Sequence, residues 1–194
     1  MIEAELKARV KDVEAVRTWL QARAEEEEAT YHDTYYDWPD RRLETKGQEI
    51  RLRTITAPAG TSHVLTYKQP PADRESGSKP EYETIIADRA PVSAMLCDLG
   101  LVELVSLTKH CLNFRFDYRN RQILATLVTV PELSGAFLEV ETLTESAEIN
   151  AALKTVKAVM ADIEVIRDLS SDSYTKSVMA AREARNLMLA RDLC

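Results

Sequence analysis

Charged side chains recur two residues apart along much of this sequence. Glu3 and Glu5 lead into Lys7 and Arg9, Arg51 and Arg53 form a second group, Lys68 follows, then Glu81 and Glu83, and finally Glu139 and Glu141. A spacing of two returns side chains to the same face of a β-strand, so each pair would present its charges together. Carboxylates crowded into one enclosure oppose each other's ionisation, and a hard divalent cation removes the conflict. Magnesium takes one or two carboxylates, keeps waters and completes its shell with phosphate oxygens. Arg51 and Arg53 could meet remaining phosphate charge through bidentate contacts, and Lys68 as a point charge. The set suits a metal-bound polyanion.

The elements that would position these groups follow from period. Residues 2–10 alternate apolar and charged, with Ile2, Ala4, Leu6, Ala8 and Val10 opposite the charges, and predict a strand. Val13, Val16, Trp19 and Leu20 then recur at helical spacing within residues 11–24. Strands are predicted over 31–38, 48–56, 61–69, 81–87, 101–117, 122–130 and 136–143, where β-branched and aromatic residues concentrate. In the 48–56 strand Ile55 follows Arg51 and Arg53 on the same face. Pro39, Gly47, the Ala57-Pro58-Ala59-Gly60 stretch and the polar run 70–80 separate strands, and the last is the candidate mobile loop. A short helix is expected from Pro91 to Leu99, ending at Gly100, and further helices over 145–160 and from Ser171 onward.

Alternation of this kind is also what any half-exposed sheet shows, and for one strand that is the ordinary account. Several such strands together, with helices needing an apolar sheet face to cover, turn the charged face toward an interior. Strands joined by turns and short helices predict an antiparallel sheet, closed into a barrel to remove its edges. The fold class is α+β: an eight-stranded antiparallel β-barrel with helices on its outside, formed by residues 1–194 as one domain.

Composition narrows the function classes. Hydrophobic residues make up 45% and charged residues 29%, with no apolar run of membrane-spanning length. A formal charge of −7 speaks against a nucleic-acid binder, whose affinity rests on basic surface. The opening Met1-Ile2-Glu3-Ala4-Glu5 lacks the pattern of a secretory signal, so the expected location is cytoplasmic. Cys97, Cys111 and Cys194 have no metal-binding or disulfide spacing and read as reduced thiols. His32, His63 and His110 stand singly and read as surface or packing residues; Trp19 and Trp38 read as packing, and Glu25 to Glu28 as a solvated run.

The segment Glu3-Ala4-Glu5-Leu6-Lys7 resembles the E-x-E-x-K signature of the CYTH superfamily, the triphosphate tunnel metalloenzymes. Supporting pieces appear in the family's order: Asp33-Thr34-Tyr35-Tyr36-Asp37, Gly47 to Arg53, Tyr67-Lys68, Glu81-Tyr82-Glu83, Gly135 to Glu141 and Ser173-Tyr174. The resemblance implies a triphosphate tunnel in which Glu3, Glu5, Glu139 and Glu141 hold Mg2+ or Mn2+. Lys7, Arg51, Arg53 and Lys68 would grip the triphosphate, with Lys7, Arg53 and Lys68 acting on the reacting phosphate. Glu81, Glu83, Lys109 and Arg115 complete the implied substrate-binding set. Ser173 and Tyr174 could equally start an ordinary helix, as cap and anchor.

Two departures stand out. Lys109-His110-Cys111 puts a cysteine where the family commonly has arginine, with Arg115 on the same nominal face, and an ungapped match puts Thr129 at an aspartate position. The resemblance implies a small triphosphate as substrate, either tripolyphosphate, ATP or thiamine triphosphate, with hydrolysis favoured. The family's cyclases often carry a His-Phe element before the first acidic pair, where this chain has Met1-Ile2. The alternatives are a class IV adenylyl cyclase, a binding-only polyphosphate or nucleotide sensor, and a scaffold domain. A homodimer is compatible with the sequence; no nucleic-acid or membrane partner is expected.

Overall fold

A computed structural model describes residues 2–73 and 76–191. Met1, the Cys194 thiol and part of the expected 70–80 loop (Arg74, Glu75) lie outside the described residues. Eight strands run β1 Ile2–Val10, β2 Glu27–Asp37, β3 Glu49–Ala57, β4 Gly60–Lys68, β5 Glu81–Ile86, β6 Val102–Tyr118, β7 Arg121–Thr129 and β8 Ala136–Thr144. Helices are α1 Val13–Gln21, α2 Arg42–Thr45, α3 Arg89–Asp98, α4 Ile149–Asp162 and α5 Tyr174–Arg191. The architecture is the expected α+β class. All strands join one antiparallel sheet, in the order β1-β8-β7-β6-β2-β3-β4-β5.

That sheet curls until its two edge strands approach. Closure is partial, a half-barrel in which an isolated Ile2–Pro80 bridge replaces a β1–β5 ladder. The Glu5 backbone N–H donates to Ser78 Oγ at 3.2 Å across the same seam. Ser78 is buried, so the segment before β5 serves as the missing partner of β1.

The period-two reading of β1 holds residue by residue. Ile2, Ala4, Leu6, Ala8 and Val10 are buried, and the first, largest core lies on their face. It adds Leu138 and Val140 of β8, Ala125 and Leu127 of β7, and Phe114 and Phe116 of β6. Helix α4 covers it with Ala152, Leu153, Val156, Val159 and Met160, and α1 with Val16 and Leu20. A second core packs α3 over Tyr36 and Leu52. Gly100, at φ +92°, ends α3 by donating its N–H to the Cys97 carbonyl at 2.8 Å.

Three local details depart from the pattern. β2 starts at Glu27, before the aromatic run, because Glu27 and Glu28 pair with Asn113 and Leu112 of the 17-residue β6. Of the Glu25–Glu28 run, Glu26 is ion-paired with Arg17 at 2.5 Å. Helix α2 is too short to carry periodicity; the buried Asp37 carboxylate creates it by accepting the N–H groups of Leu43 and Glu44, both at 3.0 Å. Asp37→Ala is therefore expected to cost about 2–3 kcal/mol, since hydrogen bonds to a buried charge are the stronger ones. A urea midpoint matching the parent protein would contradict that role.

Candidate metal and polyanion site

The opposite face of the sheet encloses a cavity of about 970 Å³. Every site residue expected from the sequence lines it: Glu3, Glu5 and Lys7 of β1, Arg51 and Arg53 of β3, Lys68 of β4, Glu81 and Glu83 of β5, Lys109 and Arg115 of β6, and Glu139 and Glu141 of β8. Ile55 lines it too, as its place on the arginine face required.

Strand register sets who meets whom. Glu5 lies directly opposite Glu141 in the β1–β8 ladder, and Lys7 opposite Glu139. A like-charged cross-strand pair is unfavourable by itself, yet here a third carboxylate joins it. Ligand oxygens of Glu3, Glu5 and Glu141 lie within 4.8 Å of one another. Glu139 shares their face but turns to Lys109, at 3.3 Å. Lys68 is 3.9 Å from Glu3 and closely ion-paired with Glu81.

Protonation follows this arrangement. Burial pushes the Glu3 carboxyl up to about 9, helped by Glu141 and Glu81, and the Glu141 carboxyl up to about 8, helped by Glu5 and Glu139. Glu5 is raised by burial and by Glu139. For Glu139, burial is outweighed by Lys109 and Lys7, and its carboxyl stays low. Burial and Arg51 would lower Lys68, but Glu81, Glu5 and Glu3 hold it above the ordinary lysine range.

These shifts give a testable sign. Between the ordinary glutamate value of 4.5 and the raised values of Glu3 and Glu141, the folded chain binds more protons than the unfolded one. Metal-free stability should therefore fall as pH climbs through that window, by up to about 1.4 kcal/mol per pH unit for each group, and level off above it. Urea unfolding with chelator at about pH 6 and about pH 8 checks this; stability that rises with pH would contradict it.

The arginines are held from outside the metal cluster. Asp33, on β2 opposite Arg53, accepts Nε–H and an Nη2–H at 2.6 and 2.8 Å. Burial alone would raise the Asp33 carboxyl, but Arg53 holds it well below the carboxylate range. The Tyr31 ring packs 4.5 Å from the same guanidinium. Arg51 donates to Thr66 at 3.1 Å and Glu83 at 3.2 Å, while its buried Nε has no hydrogen-bond partner among the described residues. Glu81 Oε2 is likewise buried without one. Asp33 was visible in the sequence only as part of a quoted motif. Its place opposite Arg53 was the missing signal.

The two departures resolve differently. Residues opposite Glu141, Glu139 and Phe137 on β7 are Leu124, Thr126 and Val128, so Val128 shares the face of the charged lumen and the exposed Thr129 points outward. Cys111 is buried beside Val128, Phe137, Tyr174 and Val178, an apolar end of the lumen, and burial pushes its thiol up to about 12. Arg115 lies at the rim, its side chain 65% exposed and 3.9 Å from Glu27, so it does not reach the Cys111 position. The three histidines, single in sequence, pair with threonines of neighbouring strands: His32 with Thr108 of β6, His63 with Thr54 of β3 and His110 with Thr30 of β2.

Comparison with known proteins agrees with this geometry. A curated Methanocaldococcus jannaschii protein, provisionally named an adenylate cyclase, is 25% identical over 184 residues, 94% of this chain and 99% of its own. A solved structure from Pyrococcus horikoshii matches with a TM-score of 0.79 at 25% identity, over 92% of this chain and 98% of that one. One from Vibrio parahaemolyticus, also provisionally named an adenylate cyclase, matches with a TM-score of 0.76 at 25% identity, over 93% and 98%. Among the described residues no helix is long and apolar enough to cross a membrane. The CYTH domain profile matches residues 1–171, and with the curled sheet and its charged lumen this places the chain in the CYTH domain family.

Proposed function

We propose that this chain is a divalent-metal-dependent enzyme that hydrolyses a small triphosphate in its lumen. The observation that carries the reading is the convergence of Glu3, Glu5 and Glu141 within 4.8 Å, in a cavity also lined by Lys7, Arg51, Arg53, Lys68 and Lys109. A polyanion binder without metal would gain nothing from three half-buried carboxylates beside its ligand. The donor set fits Mg2+ or Mn2+, which take carboxylate, water and phosphate oxygens. When bound, the ion would neutralise phosphate charge and act as a Lewis acid.

The remaining work falls to the chain's own side chains. Arg51 has a buried Nε–H with no partner among the described residues, a donor that a phosphate oxygen would satisfy. Lys68, between Glu3 and Glu81, bridges the metal cluster and the phosphate wall. Arg53 spends two donors on Asp33 and keeps others for ligand. Lys7 and Lys109 lie deeper, near Tyr174. Glu139 serves as partner to Lys109 before it serves as a metal ligand. All these cations address phosphate, and hydrolysis asks for nothing more than a positioned water.

The names of the M. jannaschii and V. parahaemolyticus relatives favour a second reading, adenylate cyclase, in which the ribose 3′-hydroxyl attacks the α-phosphorus. Incubation with tripolyphosphate, ATP or thiamine triphosphate, with Mg2+ or Mn2+, followed by phosphorus NMR, separates the two. Orthophosphate is the expected product. Pyrophosphate with cyclic AMP would establish the cyclase, metal-dependent binding without product would make the protein a sensor, and neither binding nor turnover would sink the proposal.

A further inference from the structure

Tyr174 stands at the first position of α5, beyond the last residue of the CYTH domain match. It is nevertheless part of the lumen wall. Its ring is buried at the apolar end, edge-on to Phe137 with centroids 5.3 Å apart, and Val178 one turn later is fully buried beside it. Two ammonium groups share this single ring: Lys7 Nζ and Lys109 Nζ are each 4.2 Å from its centroid. Both distances are within the range at which an aromatic face attracts a cation.

The chain leading into α5 is tied to the same lysine. Leu169 bridges Ala8, the Ser170 N–H donates to the Lys7 carbonyl at 2.8 Å, and Lys7 Nζ donates to the Asp172 carbonyl. Lys7 thus has its backbone and its ammonium fixed by residues about 165 positions later. Lys109 is fixed from the other side by Glu139. Glu139, opposite Lys7 and 3.3 Å from Lys109, offsets the repulsion between the two ammonium groups, and the ring and the strap fix where they sit.

The geometry points to Tyr174 as a positioning residue: its ring sets Lys7 and Lys109 side by side as one anion clamp, so docking of α5 completes the site. This rests on the triphosphate reading above for what the clamp holds, but not for the clamp itself. The ring face is the part that sets the two lysines; the buried hydroxyl lies beside Glu139, and Tyr174→Phe separates its share from that of the ring.

The test uses the full chain and three variants, Tyr174→Leu, Tyr174→Phe and Val178→Ala. Val178 packs in the same core and has no ring to offer a cation, so it controls for loosened α5 docking. Ring-current shifts of the Lys7 and Lys109 ε-protons report placement without any turnover. They are expected upfield in the parent protein and in Tyr174→Phe, and absent in Tyr174→Leu. With tripolyphosphate and Mn2+, kcat/KM of Tyr174→Leu should fall about tenfold to a hundredfold, the scale of a misplaced catalytic or binding group. Tyr174→Phe should stay within about threefold of the parent, and Val178→Ala should keep kcat/KM at temperatures where it is folded. Lysine signals without upfield shift, a folded Tyr174→Leu with parental kcat/KM, or equal losses in Tyr174→Leu and Val178→Ala would each overturn the inference. Upfield shifts in a parent protein that turns over no triphosphate would fail the functional reading while the clamp stands.

Discussion

Glu5→Gln is expected to cut metal-dependent turnover sharply while leaving the metal-free protein as stable as the parent or more so. Glutamine keeps the shape of the side chain and an acceptor oxygen, and removes one of three crowded carboxyl groups that oppose each other's ionisation. Glu5 faces Glu141 directly across the ladder, has Glu3 on its own strand face and raises the carboxyls of both, so the substitution relieves repulsion in the absence of metal. With metal, the same substitution takes away a ligand. A loss on the order of 100-fold to 1000-fold in kcat/KM is anticipated, equivalent to about 3–4 kcal/mol of transition-state stabilisation. Opposite signs for activity and metal-free stability are the signature of a functional cluster. A variant that loses both together, measured by phosphate release and by urea unfolding in chelator, would speak for a merely structural carboxylate.

Asp33→Asn carries the largest expected effect on stability. Asp33 is fully buried, and its two oxygens take two N–H groups of an Arg53 side chain that is only 14% exposed. Asparagine leaves that guanidinium buried without a counter-charge, which in comparable pairs costs about 3–5 kcal/mol. For a chain of this length the midpoint of thermal unfolding should fall by roughly 6–20 °C. The double variant Asp33→Asn/Arg53→Met should recover much of the loss, because it removes the uncompensated guanidinium charge and leaves only a neutral amide beside an apolar side chain. Because the folded Asp33 carboxyl lies below its ordinary value, the pair's contribution is present above 3.8 and is lost only as acid titrates the folded form. A single variant as stable as the parent would contradict the pairing.

Much of this site was legible in the sequence because its strands obey a period of two. Glu3, Glu5 and Lys7 share a face in β1 for the same geometric reason that Ala4, Leu6 and Ala8 share the other, and helices over the second face turn the first inward. The E-x-E-x-K resemblance then named the chemistry. What stayed hidden depends on register or on distance along the chain. Thr129, matched to a family aspartate, faces outward, and only the β7–β8 register shows it. Glu139 looked equivalent to Glu141, but only its approach to Lys109 distinguishes them. Asp33 needed its pairing with Arg53, and Tyr174 needed both lysines, before either had more to offer than a motif letter or a helix anchor. Partial closure at Ile2–Pro80 likewise has no local pattern that could announce it.

The shared-ion claim is tested most directly by diffraction from crystals grown with Mn2+ and tripolyphosphate, read at the manganese absorption edge. The expected result is an anomalous peak between the carboxylates of Glu3, Glu5 and Glu141, with the polyanion lying along Arg51, Arg53 and Lys68. Manganese bound elsewhere with those three carboxylates bare, or tripolyphosphate held on the outer surface of the sheet, would contradict it.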